Sequence, residues 1–230
     1  MVLSFTACSK DSGNGGSKEK DAVSVQGSTD NTYETPLKLV VAQANEQNFN
    51  NYRRKEIATL NGFCQEEATN YQNLLDKSTK YDKAANKDQF DKLIQEQKNN
   101  YGENYKYSYK INSKEALGAG DLKHFQTEIL EYADDLKMQL DDISSYDADD
   151  WAEEAKEIGL SVTDVKAMVE CLRKIQEKLT KANVTEGYVL KFTYILNGSK
   201  LETPEEKSLS RYVYKVDGRW VDENFLYTIR

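Results

Sequence analysis

From residue 35 onward the apolar positions fall into a helical period. Leu37, Val40, Val41 and Ala44 recur three and four residues apart, the spacing that lines one side of a helix. Thr35 reads as its N-cap and Pro36, with its fixed φ, as its first helical residue. The same spacing predicts helices over residues 49–60, 62–75 and 88–98, the last with Phe90, Leu93, Ile94 and Gln97 along one side. Asn99, Asn100 and Gly102 then predict its end.

At Tyr105 the period drops to two. Tyr105, Tyr107, Tyr109 and Ile111 alternate with Lys106, Ser108 and Lys110, as in a strand with one buried face. A helical section follows over residues 121–181. Within it Gly159 closes one helix, and Ser161 with Asp164 forms a capping pair for the next, whose stripe is Val162, Val165, Val169, Leu172, Ile175 and Leu179. Three strands end the chain. Tyr188, Leu190, Phe192, Tyr194 and Leu196 share a face of the first, with Asn197 and Gly198 as its turn. Residues 211–216 form the second strand, and Asp217-Gly218 is a tight hairpin signal leading into a third over 220–225. The expected class is α+β.

Ahead of this folded part lies a different composition. Residues 9–32 hold almost no large apolar side chain and read as a tether, which as a flexible coil spans roughly 25–30 Å. Immediately before it, Phe5, Thr6, Ala7 and Cys8 resemble the lipobox of bacterial lipoproteins, with Phe5 where Leu is usual. The resemblance implies acylation of Cys8, a signal-peptide remnant over residues 1–7, and an extracytoplasmic, membrane-anchored protein at the cell surface. The residues before Cys8 form only a stub of apolar core without Lys or Arg, which points to a start placed too late or a shortened leader. The alternative is a disordered amino terminus with an incidental cysteine.

The order of helices, one strand, more helix and an antiparallel meander, closed by Val216, Asp217, Gly218, Arg219 and Trp220, resembles the nuclear transport factor two-like domains found in lipoproteins of Gram-positive anaerobes. The stretch from Tyr105 into Asp121, Leu122 and Lys123 is similar to theirs as well. The resemblance covers most of residues 36–227 and implies a cystatin-like roll, N-terminal helices on a curved antiparallel sheet. It assigns one domain over residues 33–230 with an enlarged helical insertion over about 121–182, where the family has a single helix. Because this fold hosts isomerases, dehydratases, transport factors and inert binding modules, the resemblance fixes no activity.

Charge and residue chemistry narrow the function further. The net charge of −8 argues against nucleic acid, which demands concentrated positive charge. No apolar run approaches the roughly 20 residues that cross a bilayer, leaving lipid on Cys8 as the expected membrane contact. With Cys8 acylated, Cys64 and Cys171 remain, either paired as an extracytoplasmic disulfide or buried as small hydrophobes in their helical stripes. The single histidine, His124, sits at a polar helix start beside Lys123 and reads as a surface residue. Its isolation disfavours a histidine triad and most zinc sites. The acidic run from Asp141 to Glu157 lacks the glycine and glutamate spacing of a calcium loop and reads as a solvated helix junction. No cofactor is expected.

The remaining candidates are aromatic. Tyr107, Tyr109, Tyr194, Tyr214 and Trp220, with Tyr105, Tyr188 and Tyr212 on or near the same sheet, either line a cavity with hydroxyls aimed inward or fill the core against helices. The expectation is a binding module for a small molecule, peptide or envelope partner. An isomerase or dehydratase using a buried carboxylate, and a purely structural scaffold, are the alternatives.

Overall fold

The structure, a computed structural model, describes residues 31–229. The lipobox, Cys8 and nearly all of the tether lie outside the described residues.

Among the described residues eight helices and four strands follow one another. Helices α1 (Thr35–Ala44), α2 (Phe49–Ala58), α3 (Gln65–Leu75) and α4 (Lys83–Tyr101) precede β1 (Lys106–Ala116). Helices α5 (Ala119–Ser144), α6 (Ala148–Ile158) and α7 (Val162–Lys181) lead to β2 (Val184–Asn197), β3 (Glu205–Val216), β4 (Arg219–Asp222) and the short α8 (Phe225–Thr228). The strands form one antiparallel sheet in the order β1-β2-β3-β4, so the class is α+β with a three-helix insertion between the first two strands.

Local chemistry explains where several boundaries depart from the sequence reading. Thr35 is already helical and Glu34 is the cap, while the Thr35 hydroxyl accepts the Thr32 N–H at 2.9 Å. Helix α3 starts at Gln65 rather than residue 62 because Asn61, Gly62 and Cys64 all have positive φ. Helix α4 starts earlier than expected, since Asp82 caps it by accepting the Ala85 N–H at 2.7 Å. Asn99 and Asn100 stay helical, and Gly102 ends the helix. Helix α5 begins before Asp121 because that carboxylate reaches back to the Gly118 N–H at 3.0 Å, the N3 role in a helix start. Asn197-Gly198 is no two-residue turn. Residues 198–204 connect β2 to β3, which begins six residues before the expected 211, and β4 stops at Asp222, where Glu223 and Asn224 turn the chain into α8.

The second hairpin is as expected. Asp217 and Gly218 have φ of 48° and 76°, the pair of positive values of a type I′ turn. Asp217 also ties the turn to the base of β2, accepting the Asn183 N–H at 3.0 Å while its own N–H reaches the Asn183 carbonyl at 3.1 Å.

Register divides the sheet into two buried faces. Tyr214, Val216 and Val221 meet Phe125 and Ile129 of α5 and Ile175 and Leu179 of α7, with Leu60, Phe63 and Cys64 completing this core. Gly187 lies opposite Tyr214 in register, and a Cβ there would come within 2.8–3.1 Å of Leu117, Leu122 and Tyr214, so a side chain would hold the α5 layer off the sheet. On the other face Leu190, Phe192, Val213 and Trp220 pack on Leu37 of α1. Within the insertion the α6–α7 junction is set locally: Gly159 terminates α6 in the left-handed conformation, and Ser161 accepts the Asp164 N–H to open α7.

Both sheet edges are guarded by side-chain amides. Beside β4, Asn31 Oδ1 accepts the Trp220 N–H at 3.1 Å and Asn61 Nδ2 donates to the Trp220 carbonyl at 2.9 Å. Beside β1, Asn45 takes the Tyr107 N–H at 2.7 Å and donates to the Tyr107 carbonyl at 2.8 Å. These carboxamides occupy the backbone positions that another strand would otherwise pair with.

Candidate functional site

The five aromatic candidates separate once the register is fixed. Tyr107, Tyr109 and Tyr194 lie on the Leu190 face of the sheet, where Tyr109 pairs opposite Tyr194 and Tyr107 opposite Leu196. Tyr214 lies on the reverse face, buried and stacked on Phe125 with centroids 3.7 Å apart. It belongs to the α5 core. Trp220 shares the Leu190 face but is buried in its filled centre, stacked on Tyr188 at 5.4 Å. Tyr109 packs at the margin of that centre and its hydroxyl reaches Glu34 at 3.4 Å. Among the described residues Tyr107 and Tyr194 line an opening.

That opening is a groove of about 320 Å³ between the end of the sheet and three helices, near the lower end of the ~300–1,000 Å³ typical of small-molecule sites. Its floor is Tyr105, Tyr107 and Tyr194, with Tyr107 stacked on Tyr194 at 5.1 Å and Tyr105 edge-on to Tyr107 at 6.0 Å. Val40 and Ala44 of α1 form one wall, Tyr52 of α2 closes an end, and Phe90, Leu93 and Ile94 of α4 form the roof. The roof is lightly held. Phe90 is the one buried residue of α4, seated on Phe49 and Tyr52 at 5.6 and 4.9 Å, while Leu93 remains 49% exposed. Tyr107 helps to hold it by donating to Gln97 Oε1 at 2.7 Å.

The groove keeps its hydroxyls protonated. Burial raises the pKa of Tyr105 and Tyr107, and pushes that of Tyr194 up to about 12, because a phenolate here would lose its hydration. They therefore act as neutral hydrogen-bond donors. The charged residue on the lining is Glu46, which pairs with Lys55 at 2.7 Å. Burial alone would raise its carboxyl pKa, but hydrogen bonds from Lys55 and the Asn48 N–H outweigh that and hold it below the ordinary range. A general base for carbon acids needs the opposite arrangement, a carboxylate raised by isolation.

A second depression, about 440 Å³ between α2 and α3, is larger but polar. Arg53 and Lys83 both pair with Asp76, at 2.7 and 3.1 Å, and Arg54 donates to Asn51 Oδ1, so cations outnumber the one carboxylate on this lining. A third, about 340 Å³, lies along α2 near Tyr81 and Phe49. Desolvation raises the pKa of Glu56 at its rim, yet Glu56 keeps a solvent-exposed side chain, so it is no buried carboxylate.

The other candidates take structural positions. His124 is exposed on α5, 3.5 Å from Glu128. Asp147 and Asp150 form a reciprocal cap at the start of α6, Asp147 accepting the Asp149 and Asp150 N–H groups and Asp150 accepting the Asp147 N–H. Among the described residues no three His, Cys, Asp or Glu side chains converge as a metal would require. Cys64 and Cys171 are both free thiols, and no described helix is long and apolar enough to cross a membrane. Tyr105, one of the tyrosines the alternation puts on this face, lines the groove as well, whereas the roof residues of α4 carried no site expectation; the signal available was the apolar side of that helix. Compared with family models, with curated proteins and with solved structures, the chain matches none.

Proposed function

We propose that this protein is a lipid-anchored binding module of the extracytoplasmic membrane face, which captures a small amphipathic ligand in the groove beneath α4. The observation that carries the reading is the contrast along one sheet face. Its centre is filled by Leu37, Trp220 and Phe192, while its far end stays open and is floored by stacked tyrosines. An apolar recess with a few inward donors is the form that small-molecule sites take. The ion-paired Glu46, held ionised by Lys55, and the absence of a raised carboxylate on the lining favour binding over proton transfer at this groove.

The lipid anchor rests on the residues around Cys8 and the polar stretch after them. The fold is read as a variant of the nuclear transport factor two-like lipoprotein domain, a cystatin-like roll enlarged by α6 and α7. Supporting this is the order of helices, strand, helices and meander, together with the Asp217-Gly218 hairpin. Two measurements test the two halves. Expressed behind a complete lipoprotein leader, the wild type should enter the detergent phase and Cys8→Ser should not, because buried acyl chains contribute roughly 0.8 kcal/mol per methylene; equal aqueous partitioning refutes the anchor. Native mass spectrometry of protein incubated with culture extract should show a bound small molecule in the wild type, and less in Tyr107→Ala and Tyr194→Ala at unchanged far-ultraviolet circular dichroism. Equal retention by all three refutes the groove.

A further inference from the structure

In a protein of net charge −8, the polar depression between α2 and α3 gathers positive charge. Arg53, Arg54 and Lys83 line it together with one carboxylate, Asp76. That carboxylate is fully engaged. Its Oδ2 accepts from Arg53 Nη1 at 3.0 Å and from Lys83 Nζ at 3.1 Å, while its Oδ1 meets Arg53 Nη2 at 2.7 Å and Gln72 Nε2 at 3.3 Å. These donors occupy the roughly four lone-pair sites that a carboxylate offers. Arg53, 11% exposed and set over the rings of Phe49 and Tyr81, is the inner partner of Asp76 and belongs to the fold.

Arg54 is left over. The neutral Asn51 Oδ1 accepts from one of its nitrogens, and no carboxylate pairs with it among the described residues, although a guanidinium carries donors on all three nitrogens. Lys83, 45% exposed, gives one ammonium hydrogen to Asp76 and keeps the others for solvent. Like charges on one lining repel, and an anion between them turns that repulsion into attraction.

The rest of the lining defines the body that such an anion carries. Asn48, Asn50, Asn51, Gln72 and Asn73 supply carboxamides, which both donate and accept, with Asn50 and Asn73 exposed and Ile57 the one apolar residue. Hydroxyl groups match this surface, whereas a hydrocarbon chain would strip water from the amides and return no hydrogen bond. The volume of about 440 Å³ lies within the ~300–1,000 Å³ of small-molecule sites.

We propose that this depression is a second binding site, sharing no lining residue with the tyrosine groove, for a hydroxylated small molecule bearing a carboxylate or a phosphate. The Arg54 guanidinium takes the oxyanion, because its planar fork matches two oxygens at once. Lys83 adds a second positive charge, and the amides of α2 and α3 bond the hydroxyls.

Glucose 6-phosphate, glucuronate, inorganic phosphate and glucose are the probes, titrated calorimetrically at neutral pH into the full chain. Arg54→Gln and Lys83→Gln test the site, and Lys137→Gln removes an exposed cation of α5 as the control for net charge. The wild type should bind one or both sugar anions at least about tenfold more tightly than glucose or inorganic phosphate, and the tighter of the two identifies the oxyanion. Arg54→Gln should weaken that binding about tenfold or more, the loss of a charge-assisted pair. Lys83→Gln, at an exposed position, should weaken it about three- to fivefold, and Lys137→Gln should leave it unchanged. Without ligand the urea midpoint of Arg54→Gln should stay level or rise, since a like charge is removed, and a saturating sugar anion should raise the midpoint of the wild type more than that of Arg54→Gln. Glucose binding as tightly as the sugar anions, undiminished binding in Arg54→Gln, or an equal loss in Lys137→Gln overturns the site. Inorganic phosphate binding as tightly as glucose 6-phosphate overturns the hydroxylated body, and failure of the wild type to bind either sugar anion overturns the proposal as a whole.

Discussion

Asn45 offers a direct test of how the sheet edge and the groove are held together. It is the C-cap of α1, and its carboxamide both accepts from and donates to the backbone of Tyr107, at 2.7 and 2.8 Å. Asn45→Ala deletes both bonds without emptying any core. Each is worth about 0.5–1.5 kcal/mol net, and because the site is partly exposed, water replaces some of that, so the expected loss is about 1–2 kcal/mol. With a urea dependence of about 2–3 kcal/mol per molar for a chain of this size, the unfolding midpoint should fall by about 0.3–1 M. Circular dichroism in a urea titration reads this. Hydrogen exchange adds a local readout, since the Tyr107 amide should lose protection before its neighbours on β2. Gln47→Ala, at an exposed position two residues on, is the control and should shift stability by less than about 0.5 kcal/mol. An unchanged midpoint together with unchanged protection at Tyr107 would show that the amide clamp contributes nothing to the edge.

Three further outcomes are expected. Gly218→Val should cost more than about 1 kcal/mol in urea unfolding, because φ is +76° and no atom lies within 4 Å of an added Cβ, leaving backbone strain as the cause; Gly218→Asn should cost less, and equal midpoints for the wild type and Gly218→Val would mean the turn is unstrained. Acid should destabilise the fold through Glu46 and Asp76. For both, burial opposes ionisation but is outweighed, by Lys55 and by Arg53 with Lys83, so their folded pKa values lie below the ordinary 4.5 and 3.8. Their stabilisation is complete above those values and is lost as pH falls through the folded ones, where the unfolded chain has already bound its protons; the urea midpoint should drop less between pH 7 and pH 3 in Glu46→Gln than in wild type, and an identical drop refutes the linkage. Burial pushes the Cys64 thiol up to about 12 despite Lys178 nearby, so iodoacetamide at pH 8 should leave Cys64 unmodified in the native chain and alkylate it in urea. Peptide mass spectrometry decides, and native labelling at the denatured rate is the contrary result.

What the sequence determined by itself is local. Period and capping chemistry placed the helices, because Ser161, Gly159 and the stripe from Val165 to Leu179 act within one or two turns. The Asp217-Gly218 hairpin was legible for the same reason, a turn whose backbone demand is met by two adjacent residues. Where the signal was not local, the reading stopped short. Residues 205–210 of β3 are almost all polar and exposed, and only pairing with β2 makes them a strand. The first turn of α4 carries no apolar period, and its start was hidden in a single cap, Asp82. The division of the tyrosines belonged wholly to tertiary structure. Alternation shows that Tyr212 and Tyr214 share a face opposite Val213, but helices cover both faces of this sheet, so both parities carry apolar residues and neither announces which aligns with Leu190. Register placed Tyr214 against Phe125 and left Tyr107 and Tyr194 at the groove. The opening itself depends on where α4 crosses the sheet end, and that crossing is set by distant partners: Phe90 packs on two residues some forty positions earlier, Tyr107 donates to Gln97, and the Lys200 N–H bonds the Tyr101 carbonyl.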